Sequence, residues 1–161
     1  MFASSIYLAQ LTMKNAFKLA GLALKTTTTN ENGQCARDCE KLWSDFAAGN
    51  YFSRIPDKLS NEVFAVYHNY EGDHTQPFSY FIGCKVDIDA ILPSDLDTLV
   101  IPEAQYQKFK AKGSMPQCVI DTWISIWNSD LPRAYQADFE IYGEKSQDWT
   151  NAEVEVYISV H

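Results

Sequence analysis

Apolar and polar positions along the chain follow two periods, and the period changes in a regular order. Segments in which apolar and polar residues alternate predict strands, and segments with apolar residues at i, i+4, i+7 and i+8 predict amphipathic helices. Polar stretches that contain Gly or Pro separate these segments. The predicted elements are a strand over 13–29, a helix over 35–46, strands over 63–70, 79–86 and 106–113, a helix over 119–127, and strands over 138–142 and 153–160.

The order strand, helix, strand, strand occurs two times along the chain, which indicates an internal repeat. Repeat one covers about 6–90 and repeat two about 98–161, with Trp43 and Trp123 at equivalent places in the two helices. One such unit cannot bury its sheet face alone, so both are expected to pack in a single domain over 1–161. The sequence therefore predicts an α+β fold of duplicated β-α-β-β units with pseudo-twofold symmetry. Both helices are expected on one side of an antiparallel sheet, with a ligand cleft between the repeats on the other side.

Acids and phenols alternate with apolar residues in the last two predicted strands. The two-residue period puts the acids and phenols on one face and the apolar residues, Phe139 and Ile141 among them, on the other. We expect the apolar set to face the helices and the polar set to face the open side of the sheet. The polar set includes Glu140, Tyr142, Glu155 and Tyr157.

Repeat one adds aromatic residues to the same face. By analogy between the repeats, Tyr67 takes the place of Tyr142, and Phe81 takes the place of Glu155. A carboxylate in an aromatic-walled groove suits an organic cation, because each ring face attracts a cation by ~0.5–2 kcal/mol. The candidate ligand-binding residues are Glu140, Tyr142, Glu155, Tyr157, Tyr67, Phe81 and Trp123.

Each of these features also has an ordinary structural explanation. Alternating Glu and Tyr are common on the solvent-facing side of an antiparallel sheet. Trp123 and Trp127 at helical spacing are typical of a core. Hydrolysis by the pair Glu140 and Glu155 is a further alternative, ranked below binding. The sequence lacks the G-x-S-x-G nucleophile elbow of hydrolases, a Gly-rich phosphate-binding loop and a Cys-His signature. No catalytic residue and no cofactor is therefore predicted.

Charge and cysteine usage narrow the class of partner. Lysine and arginine number 13 against 21 acidic residues, and the formal net charge of −8 disfavours nucleic acid and anionic membranes. The apolar runs are far shorter than the ~18 residues of a membrane span. The N-terminus lacks the basic segment of a secretory signal, so a cytoplasmic protein with reduced thiols is expected. The four cysteines lack redox or zinc spacing, and His68 and His74 lack a firm third ligand, so no metal site is predicted.

Six segments spread over nearly the whole chain carry a likeness to a known family. They are FKLAGL (17–22), NENGQ (30–34), LWSDF (42–46), IDTWISIW (120–127), DFEIY (138–142) and EVEVYI (153–158). Together they resemble the gyrase-inhibitor-like, or effector-binding, domains that are attached to AraC- and MerR-type transcription regulators and also occur as free-standing proteins. The likeness is closest to the stand-alone members, including those encoded on integron gene cassettes.

The resemblance implies a central cleft that binds bulky, often cationic and aromatic small molecules. The family's ligand-facing acid, in the motif F-E-x-Y, falls on Glu140 with Tyr142 beside it, and the final E-x-Y falls on Glu155 and Tyr157. Ser159 stands where the family usually has Pro.

The resemblance also implies a biological role. The regulators carry a helix-turn-helix domain before this module and none is recognised here, so we expect sequestration or an accessory role in transcription regulation without direct DNA binding. The alternative that the family implies is a gyrase-inhibitor-type interaction with a protein partner through the acidic surface. A monomer or a weak homodimer is expected.

Overall fold

The computed structural model describes residues 11–161, and the predicted start of repeat one near residue 6 lies outside this range. The described residues form eight strands and three α-helices. The strands are β1 (Leu11–Lys14), β2 (Phe17–Ala23), β3 (Val63–His68), β4 (Ser79–Val86), β5 (Asp97–Ile101), β6 (Ala104–Gly113), β7 (Ala137–Tyr142) and β8 (Ala152–Val160). The helices are α1 (Gln34–Ala48), α2 (Tyr51–Arg54) and α3 (Gln117–Trp127). No helix in the described range is both long enough and apolar enough to cross a bilayer.

The strands form one antiparallel sheet in the order β1-β6-β8-β7-β3-β4-β2-β5. The predicted order occurs twice, as β2-α1-β3-β4 and as β6-α3-β7-β8, with the additional short helix α2 after α1. Exchange of the two repeats converts the strand order into its own reverse, so a pseudo-twofold axis passes between the adjacent strands β3 and β7. The predicted α+β fold with the helices on one side of an antiparallel sheet is confirmed.

Two short edge strands were absent from the prediction. The strand expected over 13–29 is divided into β1 and β2, and β5 lies in a segment that was expected to be a connection. β1 precedes β2 but pairs with β6 of the other repeat, and β5 precedes β6 but pairs with β2. The edge strands thus tie each repeat to the other.

The sheet is strongly curved, because its short connections join strands near opposite ends of the strand order. Only Asn15 and Ala16 lie between β1 and β2, which are six positions apart, and only two residues lie between β5 and β6. In a flat sheet six spacings would cover about 29 Å, whereas the three chain steps of each connection reach about 11 Å. The ring centroids of Phe17 on β2 and Phe139 on β7 are accordingly 5.5 Å apart, although two strands lie between them.

The face without helices is a packed core, which corrects the prediction of an open cleft there. Its buried residues come from strands along most of the sheet, and the aromatic rings among them contact one another across it. The set is Phe17, Leu19, Phe64, Val66, Phe81, Ile101, Tyr106, Ala137, Phe139, Ile141 and Tyr157. The prediction failed because it assumed a sheet with one wet face, whereas the curved sheet buries its inner face on itself.

The helices pack on the outer face of the sheet, one over each repeat. α1 begins after Gly33, which has a left-handed φ of 69°, and it places Leu42 and Phe46 against β2, β3 and β4. α3 places Val119, Trp123 and Ile126 against β6 and β8. These residues follow the apolar stripe of each helix, as expected for an amphipathic helix on a sheet. The space between the two helices lies over the central strands β3 and β7.

Candidate functional site

A cavity of about 920 Å³ lies between α1 and α3, and both repeats contribute to its walls. Most of its lining is apolar, with side chains from both helices and from the central strands. The aromatic lining residues are Trp43, Tyr67, Tyr70, Phe78, Tyr80, Trp123, Trp127, Tyr142 and Trp149, together with His74. The volume is within the ~300–1,000 Å³ of typical small-molecule sites.

The pairing register determines which face of β7 carries Glu140. Glu140 lies opposite Ala65 of β3 and Val156 of β8, and directly opposed residues point to the same face. Ala65 packs beneath α1 and Val156 beneath α3, so Glu140 is on the helix face. The prediction that Glu140 and Tyr142 point away from the helices is therefore wrong. The same prediction for Glu155 and Tyr157 of β8 is right.

Glu140 forms the floor of the cavity as a buried acid with three hydrogen-bond donors. Its side chain is 2% exposed. Tyr67 Oη and Trp123 Nε1 donate to Oε2 at 2.8 and 2.7 Å, and Tyr142 Oη donates to Oε1 at 2.6 Å. Among residues 11–161 no Lys, Arg or His forms an ion pair with it. Burial raises the pKa of the Glu140 carboxyl, and the three hydrogen bonds oppose that rise.

Two tryptophan–tyrosine pairs surround the acid with pseudo-twofold symmetry. Trp43 contacts Tyr142 edge to face at a centroid distance of 5.2 Å, and Trp123 contacts Tyr67 in the same way at 5.0 Å. If Tyr67 is equivalent to Tyr142, the residue equivalent to Glu140 is Ala65, its direct partner across β3 and β7. The symmetric aromatic frame therefore holds one central acid, contributed by repeat two alone.

The second buried acid near the cavity already has a cationic partner. Arg133 Nη2 donates to Asp138 Oδ2 at 2.8 Å, and both residues are buried. Tyr70 Oη donates to Asp138 Oδ2 at 2.7 Å, and the Ser159 backbone N–H donates to Oδ1 at 2.7 Å. Burial, with Asp138 nearby, raises the pKa of the Tyr70 phenol. Arg133 and Asp138 form an ion pair, whereas Glu140 is the buried acid of the wall that has no cationic partner within the described range.

The structure separates the seven predicted site residues into two groups. Tyr67, Trp123, Glu140 and Tyr142 line the cavity. The other three lie on the opposite face of the sheet. They are Phe81 and Tyr157, which are buried in the inner core, and Glu155, which pairs with Lys108 at 2.6 Å.

The separation also affects the hydrolytic alternative. Glu140 and Glu155 lie on opposite faces of the sheet, because Glu155 pairs directly with Ile141. They therefore cannot act together on one ligand, and the expectation that both reach the same molecule is wrong.

Several lining residues were not predicted from the sequence. Trp43 could have been found, because it is equivalent to Trp123 in the repeat alignment. Tyr80, whose hydroxyl accepts the Trp43 indole N–H at 2.8 Å, lies in a strand with no polar alternation. Cys35 and Cys39 are expected from the sequence to be reduced thiols without a metal role, and in the structure both line the cavity.

Comparison with known proteins assigns the family. A family model described as integron-associated effector binding protein matches residues 10–160, almost the whole chain. The chain belongs to this family. The resemblance inferred from the sequence motifs is thereby confirmed.

Three relatives illustrate the extent of the similarity. Integron cassette protein VCH_CASS2, from the mobile metagenome of Vibrio cholerae, is 30% identical with a TM-score of 0.67, over 94% of each chain. The structure of SAV2435 bound to tetraphenylphosphonium has a TM-score of 0.77 at 16% identity, over 94% of this chain and 93% of that one, and shows the shared fold. YobU of Bacillus subtilis (strain 168), named as a candidate transcriptional regulator, is 26% identical over 149 residues, 89% of this chain and 91% of its own.

Proposed function

We propose that this effector-binding protein takes up one bulky, hydrophobic organic cation in the cavity between α1 and α3, with Glu140 as the counter-charge. The observation that carries the proposal is the environment of Glu140. It is a buried carboxyl at the floor of an aromatic cavity, and no described residue supplies a positive charge to it. A bound cation would supply that charge.

The hydrogen bonds around Glu140 support a role as an anion. Tyr67, Trp123 and Tyr142 each donate a proton, and a carboxylate accepts three such bonds better than a neutral carboxylic acid does. Desolvation acts in the opposite direction and outweighs the hydrogen bonds, so the pKa of the Glu140 carboxyl is raised. A permanent cation in contact with the carboxylate would shift this balance toward the ionised form.

The walls and volume support a large, flat or multi-ring ligand. Ring faces of Trp and Tyr attract cations by ~0.5–2 kcal/mol each, and apolar contact adds to this. The complex of SAV2435 with tetraphenylphosphonium, on the same fold, supports this ligand class. We propose binding rather than hydrolysis, because the second carboxylate of the suggested pair is on the other face of the sheet.

A calorimetric titration with two ligands of one shape tests the proposal. Tetraphenylphosphonium and tetraphenylborate are both tetrahedral tetraphenyl ions and carry opposite charges. We expect the protein to prefer the phosphonium, and Glu140→Gln to lower its affinity at least about tenfold, because a charged contact contributes ~1.5–3 kcal/mol. Glu155→Gln, an acid outside the cavity, is the matched control and should leave the affinity unchanged.

Two results would contradict the proposal. One is equal affinity of the wild type for both ions. The other is a Glu140→Gln variant that binds the phosphonium as tightly as the Glu155→Gln control does.

A further inference from the structure

Two cysteine thiols contact each other in the wall of the cavity. Cys35 and Cys39 occupy successive turns of α1, and their Sγ atoms are 3.2 Å apart. Both side chains line the cavity and are partly exposed, whereas Cys84 and Cys118 are buried. The pair is therefore the dithiol that a solute in the cavity can reach.

We propose that Cys35 and Cys39 form a bidentate site for trivalent organoarsenic compounds, with the organic group held against the aromatic walls of the cavity. The site uses neither Glu140 nor a positive charge on the ligand. It therefore extends the ligand class beyond the organic cations of the proposed function.

The sulfur separation favours a pyramidal centre over a linear or tetrahedral one. Two bonds of about 2.3 Å, the length of a zinc–thiolate bond, place the sulfurs about 3.3 Å apart when they meet near a right angle. A linear centre such as mercury would need the sulfurs roughly 4.6 Å apart by the same bond length. A tetrahedral metal needs further ligands, and residues 11–161 contain no cluster of three or more His, Cys, Asp or Glu able to hold one.

The reaction is a condensation without a change of oxidation state. An arsenoxide, R–As=O, gives up its oxygen, and two As–S bonds form in place of the arsenic–oxygen bond. The two thiol protons leave with that oxygen as one water molecule, and arsenic remains trivalent. The hydrogen bond with Cys35, together with burial, raises the pKa of the Cys39 thiol, which agrees with a pair that stays protonated until it is captured.

The position of the pair favours an aryl substituent. Trp43 is one turn beyond Cys39 on the same stripe of α1, and it lines the same cavity. An aromatic group on arsenic can therefore pack against Trp43 and the neighbouring Tyr142. An adduct of this kind would occupy the space proposed for the organic cation.

Intact-mass spectrometry with phenylarsine oxide tests the site. We expect one adduct per chain, with the mass of one arsenical minus one water, that survives excess 2-mercaptoethanol and is removed by 1,2-ethanedithiol. Cys35→Ser and Cys39→Ser should each weaken retention at least about a hundredfold, because the second As–S bond is then no longer intramolecular. Cys84→Ala and Cys118→Ala are the controls and should retain the adduct, and peptide mapping of the wild type should place it on α1.

The outcomes separate this site from the proposed cation binding. Absence of the adduct on wild-type protein, its full retention in either serine variant, or its mapping to Cys84 or Cys118 would overturn the dithiol site. Tetraphenylphosphonium titration of untreated protein tests the cation proposal by itself. If both are right, the arsenical adduct should lower phosphonium affinity at least about tenfold in the wild type, and the same treatment should not lower it in Cys35→Ser.

Discussion

Glu140 is subject to two opposing effects that act on the same carboxyl. Desolvation favours the neutral acid, and the donors Tyr67, Trp123 and Tyr142 favour the carboxylate. The net effect raises its pKa, so the folded protein holds the Glu140 proton to higher pH than the unfolded chain does. Glu140 therefore lowers the free energy of unfolding as the pH rises above the pKa that its carboxyl has in the unfolded chain.

The raised pKa of Glu140 predicts how the substitution Glu140→Gln changes the free energy of unfolding with pH. Near pH 4 the unfolded chain is also largely protonated at this residue, so Glu140→Gln should differ least from the wild type there. Between pH 4 and 7 the variant should gain stability relative to the wild type, on the order of 1 kcal/mol for each unit by which the pKa is raised. Urea unfolding at a series of pH values measures the difference. If the free energy of unfolding of Glu140→Gln does not rise relative to the wild-type value between pH 4 and 7, the raised pKa of Glu140 is contradicted.

The tyrosine donors predict a shift in the pH profile of binding. Phosphonium affinity should increase with pH as Glu140 ionises, and then reach a plateau. Tyr142→Phe removes a 2.6 Å hydrogen bond to the carboxyl, so the midpoint should move to higher pH by up to about one unit. Fluorescence or calorimetric titration from pH 5 to 9 measures the midpoint. Tyr157→Phe, outside the cavity, should not move it, and an unshifted midpoint in Tyr142→Phe would exclude the hydrogen bond from this role.

At the scale of elements, β7 explains both the success and the failure of sequence analysis. Alternation correctly separated Phe139 and Ile141 from Glu140 and Tyr142, but it did not show which set faces the helices. All of β7 except Tyr142 is buried, because one face meets the cavity and the other meets the inner core. A strand buried on both faces has no wet side to identify, so its orientation follows only from its register with β3 and β8.

The inner core predicts a large effect for one substitution in β7. Phe139 is fully buried and contacts the rings of Phe17, Phe64, Tyr106 and Tyr157. Phe139→Ala should lower the free energy of unfolding by about 3–5 kcal/mol in urea denaturation. Ile91→Ala, at a residue that is 96% exposed, is the control and should change it little. A loss below about 1 kcal/mol for Phe139→Ala would indicate that this face is not a core.

At the scale of the whole molecule, the duplication and the curvature together create the cavity. The periods of the sequence were sufficient for the repeat, the two helices and the six long strands. They were insufficient for β1 and β5, because strands of four and five residues with little burial carry weak periodicity. Without those edge strands and their two-residue connections, the curvature could not be inferred. The cleft was consequently expected on the wrong face.

The curvature buries the inner face, so the cavity lies on the outer face of the sheet, between α1 and α3 and near the pseudo-twofold axis. The walls are nearly symmetric, but one repeat contributes Glu140 and the other contributes Ala65 at the equivalent position. The net charge of −8 adds a long-range field that attracts cations toward the molecule. We therefore propose that one acid provides the selectivity for cations and that the aromatic walls of both repeats provide the affinity.

A crystal structure of the protein with tetraphenylphosphonium would test this account most directly. We expect one phosphonium between α1 and α3, with phenyl rings against Trp43 and Trp123 and with the Glu140 carboxylate as the acid nearest to phosphorus. A phosphonium bound on the outer surface, or on the sheet face that carries Glu155, with the cavity left empty, would contradict it.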